Sequence, residues 1–427
     1  MQHLIEKIYA VYWQYPSVQT DTRKLKPGDI FFALKGPNFN ANTFAMQALE
    51  MGAVCCVVDE TIEPTNERII VVENVLETLQ AVAKYHRQQF TIPFIAITGS
   101  NGKTTTKELV AAVLNTHYTT YTTQGNLNNH IGIPLTILSV KPNAQIAVIE
   151  MGANHQKEIE SYCSYTLPTH GIITNCGKAH LEGFGGIEGV KKGKGELYDY
   201  LRANNGTVFL FEDYDYLQSM SKGLTNKFSY GTNKGNIQGS VIESEPFLSV
   251  QITKGTAITA INTHLVGSYN LPNVLCAIAI GKFFEVPDEK IKSAIENYIP
   301  SNSRSQLIER GTNKIILDAY NANPTSMKAA IENFAALHAS NKWLFLGGMM
   351  EMGNESIAEH AGIVRLLEEL GFKNVVLVGG DYNHIAHDYL FFKNSIEAGE
   401  WLQQHPLEDA HLLIKGSRSM QMEKILQ

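Results

Sequence analysis

The sequence predicts an α/β protein of three units. These are a small N-terminal α/β unit (residues 1–90), a central P-loop unit with a parallel sheet plus antiparallel strands (91–302), and a C-terminal Rossmann-like α/β unit (303–427). Three observations carry this. Short, wholly apolar runs such as residues 54–58, 146–149 and 375–378 alternate with helix-length segments, the pattern of parallel strands covered on both faces. A glycine turn, Gly99-Ser100-Asn101-Gly102-Lys103-Thr104-Thr105, stands between one such run (94–97) and a helical one (107–114). A break near residues 300–304 separates two series of strand–helix alternation, and 427 residues suit two or three domains.

Composition narrows the function. A net charge of −7 with 18% charged residues argues against a broad nucleic-acid surface. Cys55, Cys56, Cys163, Cys176 and Cys276 form no C-x-x-C pair and no zinc spacing, so they read as core residues or free thiols of a reducing compartment. The start of the chain shows no apolar h-region, and no run approaches the ~18 apolar residues of a membrane span. A cytoplasmic protein is therefore expected.

In chain order, residues 28–34 read as a turn entering a buried strand, 44–50 as a helix stopped by Gly52, and 54–58 as a second buried strand. Asp21-Thr22-Arg23 precedes the first strand. It suits either a turn with a surface ion pair or a phosphate or sugar contact.

The glycine turn is the chemical centre. Backbone N–H groups at a helix N-terminus converge on an anion, Lys103 adds a point charge, and the Thr104 hydroxyl suits the Mg²⁺ that accompanies ATP. The pattern is the short form, because Ile97 occupies the position of the first P-loop glycine. Gly125-Asn126-Leu127-Asn128-Asn129 is a loop whose amides can bond a polar ligand. Glu150 ends the apolar strand 146–149, at the edge where open sheets bind ligands, and suits Mg²⁺. A strand at 171–175 precedes His180. Lys191-Lys192-Gly193-Lys194-Gly195-Glu196 reads as a solvated face or basic loop, and composition does not choose among its lysines. Residues 228–265 alternate with turn signals and read as antiparallel strands. Helices are expected at 270–284 and 287–298. In the last unit a strand ends at Asp318, Asn323-Pro324 caps and opens a helix, and strands follow at 344–346, 375–378 and 412–414.

Five stretches resemble the Mur ligase family. They are 98–105, 125–134, 318–327 (Asp318-Ala319-Tyr320-Asn321-Ala322-Asn323-Pro324-Thr325-Ser326-Met327), 346–353 and 415–418. The phosphate loop alone also fits folylpolyglutamate synthases, whereas the 320–324 string is similar to the branch that uses D-alanyl-D-alanine. The resemblance implies an ATP-dependent ligase of peptidoglycan synthesis that joins D-alanyl-D-alanine to UDP-N-acetylmuramoyl-tripeptide, with no nucleic-acid partner and as a monomer. It implies that Gly99, Ser100, Asn101, Gly102, Lys103, Thr104, Thr105, Asn270, Asn273, Arg304 and Asp318 bind ATP. Thr104, Glu150, His180 and a carbamylated Lys194 would hold two Mg²⁺ ions, with Lys103, Lys194 and His180 serving catalysis. Thr22, Arg23, Asn128 and Asn129 would hold the UDP-sugar peptide in a unit led by the N-terminal domain. Tyr320, Asn321 and Asn323 would shape the acceptor site. Tyr269, Phe211-Glu212-Asp213 and Phe39-Asn40-Ala41-Asn42 depart from the family pattern.

Overall fold

The computed structural model describes residues 2–301 and 304–427. The unit boundary expected at 302/303 lies outside the described residues. Among the described residues three large sheets follow one another along the chain, each built mainly from parallel strands, and a two-stranded antiparallel ribbon pairs Lys35–Gly36 with Phe39–Asn40.

The first sheet has the order Val18–Gln19, Ile30–Phe32, Cys55–Val58, Ile69–Val71, all parallel. Its two central strands, Ile30–Phe32 and Cys55–Val58, are buried on both faces. Ile30, Phe32, Cys55 and Val57 share a cluster with Ile5, Ile8, Leu79 and Val82 of the helices Gln2–Gln14 and Val75–Arg87. Phe31, Cys56 and Val58 pack on Ala45, Ala48 and Leu49 of the helix Ala45–Glu50. Period-two side-chain alternation thus feeds two apolar layers, which is why the sequence there reads as unbroken hydrophobic runs.

The central sheet has nine strands, ordered Ala260–Asn262, Ser249–Lys254, Ile237–Glu243, Asn226–Gly231, Thr207–Phe211, His170–Ile173, Phe94–Thr98, Ile146–Glu150, Thr120–Thr122. The chain builds outward from Phe94–Thr98 first to one side and then to the other. The loops after Phe94–Thr98, Ile146–Glu150 and His170–Ile173 therefore meet at a topological switch point, where ligands bind. One expectation needs correcting. Asn226–Gly231 pairs parallel to Thr207–Phe211, and Ile237–Glu243 begins parallel beside it, so antiparallel pairing is confined to the last three strands. Alternation reports a half-exposed strand but not its direction.

The third sheet is ordered Gln306–Arg310, Asn313–Asp318, His411–Lys415, Lys342–Gly347, Val375–Val378, Leu390–Phe392, parallel except for the first pair. Ile316, Leu344 and Leu413 face the helices Pro324–Ala336 and Ser356–Glu369, while Ile315, Phe345 and Ile414 face Ala398 and Ile425. The two edge strands, 306–310 and 390–392, carried too little apolar pattern to be read from sequence. The basic run at 191–196 also differs from expectation. It lies inside the helix Ile187–Ala203, where Gly193 lets the Phe184 ring close in; a Cβ there would sit 2.5 Å from a ring carbon. All five cysteines are buried and unpaired. Among the described residues no helix is long and apolar enough to cross a membrane.

Candidate active site

The wall of the site starts at Phe94–Thr98, whose five residues are buried. Gly99 follows with φ +146°, and a Cβ there would meet the Thr174 hydroxyl at 2.0 Å, so only glycine lets the loop turn against its neighbour. That neighbour straps the turn in place. Ser100 N–H donates to the Asn175 carbonyl (2.9 Å), Asn101 N–H to Asn175 Oδ1 (3.0 Å), and the Thr174 hydroxyl to the Asn101 carbonyl (2.6 Å). The helix Lys103–Asn115 then begins at Gly102 with no side-chain cap, leaving its first-turn N–H groups for an anion. Lys103 Nζ folds back on the carbonyls of Gly99 (2.7 Å) and Ser100 (3.2 Å). Burial lowers its pKa, opposed by Glu150 and aided by Arg304.

Beside the loop, Glu150 Oε1 accepts from the Thr104 hydroxyl (3.1 Å) and from Asn128 Nδ2 (2.8 Å). Its Oε2 is buried and finds no hydrogen-bond partner among the described residues. Asn270 and Asn273 brace the start of the helix, Asn273 Nδ2 donating to Asn270 Oδ1 (2.8 Å) and Asn273 Oδ1 accepting from the Thr106 hydroxyl (3.0 Å). Lys194 is 1% exposed; its Nζ donates to the Ala153 carbonyl (3.0 Å) and lies 4.9 Å from the Phe184 ring centre. Burial, then repulsion from Lys103, pushes its pKa down to about 7. His180 has φ +52° and bonds through Nδ1 to Glu351, whose carboxyl is held below its usual range chiefly by that bond.

The third sheet closes the other side. The Arg304 guanidinium lies 3.5 Å from the centre of the Tyr320 ring. Asp318 accepts from Ser305 N–H (3.1 Å) and from Lys415, and Tyr269 reaches Ser305 Oγ (3.0 Å). The two sides enclose a cleft of about 750 Å³. Its lining includes Ser100–Thr105, Asn128, Asn129, Glu150, His180, Asn270, Asn273, Arg304, Asp318, Tyr320 and Asn321.

Five expected residues stand outside that lining, Gly99 being the turn that precedes it. Asn323 is 3% exposed and spends its amide on Ser326 N–H and on the Asn101 side chain, away from the cleft lining. Lys194 is one layer behind the wall. Thr22 and Arg23 lie in the short helix Thr22–Lys24 outside the cleft lining, with the Arg23 side chain 87% exposed and paired to Asp21 at 2.8 Å. Of the two readings open for that turn, the surface ion pair is the arrangement present.

Sequence reasoning missed Asn175, Glu351, Lys415 and the stacked pair Tyr214 and Tyr216, whose ring centres are 5.3 Å apart on the cleft wall. Asn175 was readable, since it follows a strand end by the same logic that singled out Glu150. Glu351 and Lys415 lie in the motif stretches 346–353 and 415–418, but their contacts appear only once the third sheet is placed, and the Tyr214–Tyr216 stack only once the central sheet is folded.

Among the described residues no three His, Cys, Asp or Glu side chains converge on a metal position. A site for Mg²⁺, which takes one or two carboxylates and shares phosphate oxygens, does not need such a cluster.

Comparison with known proteins matches residues 97–281 to the Mur ligase middle domain and 303–418 to the Mur ligase glutamate ligase domain. The chain is 34% identical to the UDP-N-acetylmuramoyl-tripeptide--D-alanyl-D-alanine ligase of Bacillus subtilis, over 96% of this chain and 92% of that one. It is 34% identical to the enzyme of the same name from Escherichia coli, over 96% and 93%. MurF from Acinetobacter baumannii superposes with a TM-score of 0.88 at 30% identity, covering 96% of this chain and 92% of its own. Thermotoga maritima MurF shares the fold, with a TM-score of 0.86 at 23% identity over 96% of each chain. Homology along nearly the whole length, with the phosphate loop and the third sheet facing one cleft, places this chain in the Mur ligase family.

Proposed function

We propose that this chain is an ATP-dependent ligase that adds D-alanyl-D-alanine to UDP-N-acetylmuramoyl-tripeptide, a cytoplasmic step in making peptidoglycan precursor. One observation carries the reading. A phosphate loop and the Tyr320–Asn321 segment line the same cleft, so a nucleotide phosphate and an incoming amine can be brought to one carboxylate. Three working units, 1–90, 91–302 and 303–427, would supply the UDP-substrate, ATP and acceptor contacts.

The chemistry follows from the groups present. A carboxylate is a poor acyl donor, so the tripeptide carboxylate attacks the γ-phosphorus of ATP and ADP leaves. The acyl phosphate is then attacked by the dipeptide amine. The tetrahedral adduct expels phosphate, the nitrogen loses a proton, and an amide remains. Loop N–H groups and Lys103 hold the β- and γ-phosphates, where charge moves during transfer. Arg304 and Asp318 would contact the nucleotide from the third sheet. The cleft suits Mg²⁺, because Glu150 Oε2 is an unpartnered buried carboxylate oxygen close to the Thr104 hydroxyl. Thr104, Glu150 and His180 would hold the ion or ions. Bound Mg²⁺ would neutralise phosphate oxygens and bring the γ-phosphate to the attacking carboxylate.

We also propose that Lys194 carries a carbamate. A carbamate forms when an unprotonated amine adds to CO₂ and releases a proton. The buried Lys194, its pKa lowered toward neutrality, supplies unprotonated amine at cellular pH. The modification would place an anion one layer behind the cleft wall, where Nζ now meets the Ala153 carbonyl.

The test is phosphate release from ATP with each substrate withheld in turn. Release that needs both the UDP-muramoyl-tripeptide and D-alanyl-D-alanine supports the ligase. Release indifferent to the dipeptide would instead favour a nucleotide-driven switch, and turnover with a single amino acid would favour a sister ligase.

A further inference from the structure

Lys415 ends the strand His411–Lys415, which lies between Asn313–Asp318 and Lys342–Gly347. It stands in register with Asp318 on one side and Leu346 on the other. Parallel register turns Lys415 and Asp318 to the same face, at the sheet edge that borders the cleft. Lys415 is 2% exposed, and a buried ammonium persists only where partners replace its water.

Those partners belong to two different parts of the site. Nζ donates to Asp318 Oδ2, the carboxylate on the nucleotide side, whose other oxygen takes Ser305 N–H at 3.1 Å. It also donates to the backbone carbonyl of Asn321 at 3.3 Å, in the segment expected to receive the acceptor. Two residues on, the Ser417 hydroxyl donates to the next carbonyl, Ala322 O, at 3.2 Å. One corner of the chain thus grips two consecutive carbonyls of the 320–323 loop, and its single buried cation fixes the Asp318 carboxylate as well.

We propose that Lys415 is a positioning residue that serves both ligands at once, orienting Asp318 for the nucleotide and setting the Asn321 backbone for the dipeptide. The proposal rests on the ligase reading above. The 415–418 stretch marks Lys415 as part of a family motif but gives it no role; the register with Asp318 does.

The test is Lys415→Met, which keeps the stem and removes the charge, assayed for the KM of all three substrates. We expect the KM for ATP and for D-alanyl-D-alanine each to rise about tenfold, the scale of one lost hydrogen bond from a charged donor. The KM for the UDP-muramoyl-tripeptide should stay unchanged. A variant that was only unstable would lose maximal rate with all three KM values unchanged, and that result overturns the proposal. So does a rise for ATP alone, or an equal rise for all three. If the unpaired Asp318 prevents folding, Asp318→Asn with Lys415→Met removes both charges together. Its dipeptide KM should rise likewise, because the Asn321 carbonyl has still lost its donor; an unchanged value there is refuting. Failure of the unaltered chain to release phosphate in response to dipeptide would count against the ligase reading itself, and is seen before any variant is made.

Discussion

Asn323→Ala removes two structural roles from one side chain, and the structure allows each to be sized. Asn323 caps the helix Pro324–Ala336. Its Oδ1 accepts Ser326 N–H at 3.0 Å, and Ser326 Oγ accepts Asn323 N–H at 3.1 Å. Losing such a cap costs about 1 kcal/mol. Asn323 Nδ2 also donates to Asn101 Oδ1 at 2.7 Å, and Asn101 Nδ2 returns a longer contact at 3.4 Å, clasping the phosphate loop to the third sheet's first helix. That pair is worth about 1 kcal/mol net, with roughly 1 more when the Asn101 amide loses its partner. The alanine variant should therefore lose about 2–3 kcal/mol. Asn323→Ser keeps a good N-cap but is too short to reach Asn101, so it should lose about 1–2 kcal/mol. Denaturant unfolding followed by tryptophan fluorescence reports on the right region, since Trp343 and Trp401 pack in the third sheet's core. A double-mutant cycle with Asn101→Ala should give a coupling of about 1 kcal/mol. Because Asn101 belongs to the phosphate loop, the KM for ATP should rise along with that for the dipeptide. Strict additivity in the cycle would refute the clasp, and equal losses for the alanine and serine variants would refute the cap.

Lys103→Met should cut turnover by about 10²–10³-fold, typical for removing one donor to transition-state charge, while the fold survives because the stem is retained. Turnover equal to the parent's would remove Lys103 from phosphate transfer. Glu150→Gln keeps the side-chain shape but not the charge, so a Mg²⁺ titration of turnover should shift to higher concentration; an unshifted curve would mean that Glu150 does not hold the ion. Lys194→Ala should be inactive and partly restored by added short-chain carboxylates. The unaltered enzyme prepared in ¹³C-bicarbonate should show a carbamate carbon signal that this variant lacks, and the same signal in both would sink the assignment.

The sequence by itself determined the features set by near neighbours in the chain. Buried strands showed as apolar runs, the phosphate loop as glycines and Lys-Thr between strand and helix, and Glu150 as a carboxylate at a strand end. Asn323-Pro324 announced a helix start, and the capping box is there. Each follows from local sterics or from side-chain period, which act over a few residues. The tertiary structure decided what depends on strand order and packing. Lys194, rather than Lys191 or Lys192, turns inward because of the helical face it occupies behind the cleft. His180 meets Glu351 across 171 residues, Asn101 meets Asn323 across 222, and Lys415 meets Asp318 across 97. Arg23, which the sequence left open between ion pair and ligand contact, turned outward to Asp21. The first two meetings arise where parts of different sheets face one another and the last where strands far apart in sequence pair, and no short stretch of chain encodes which partner will lie opposite.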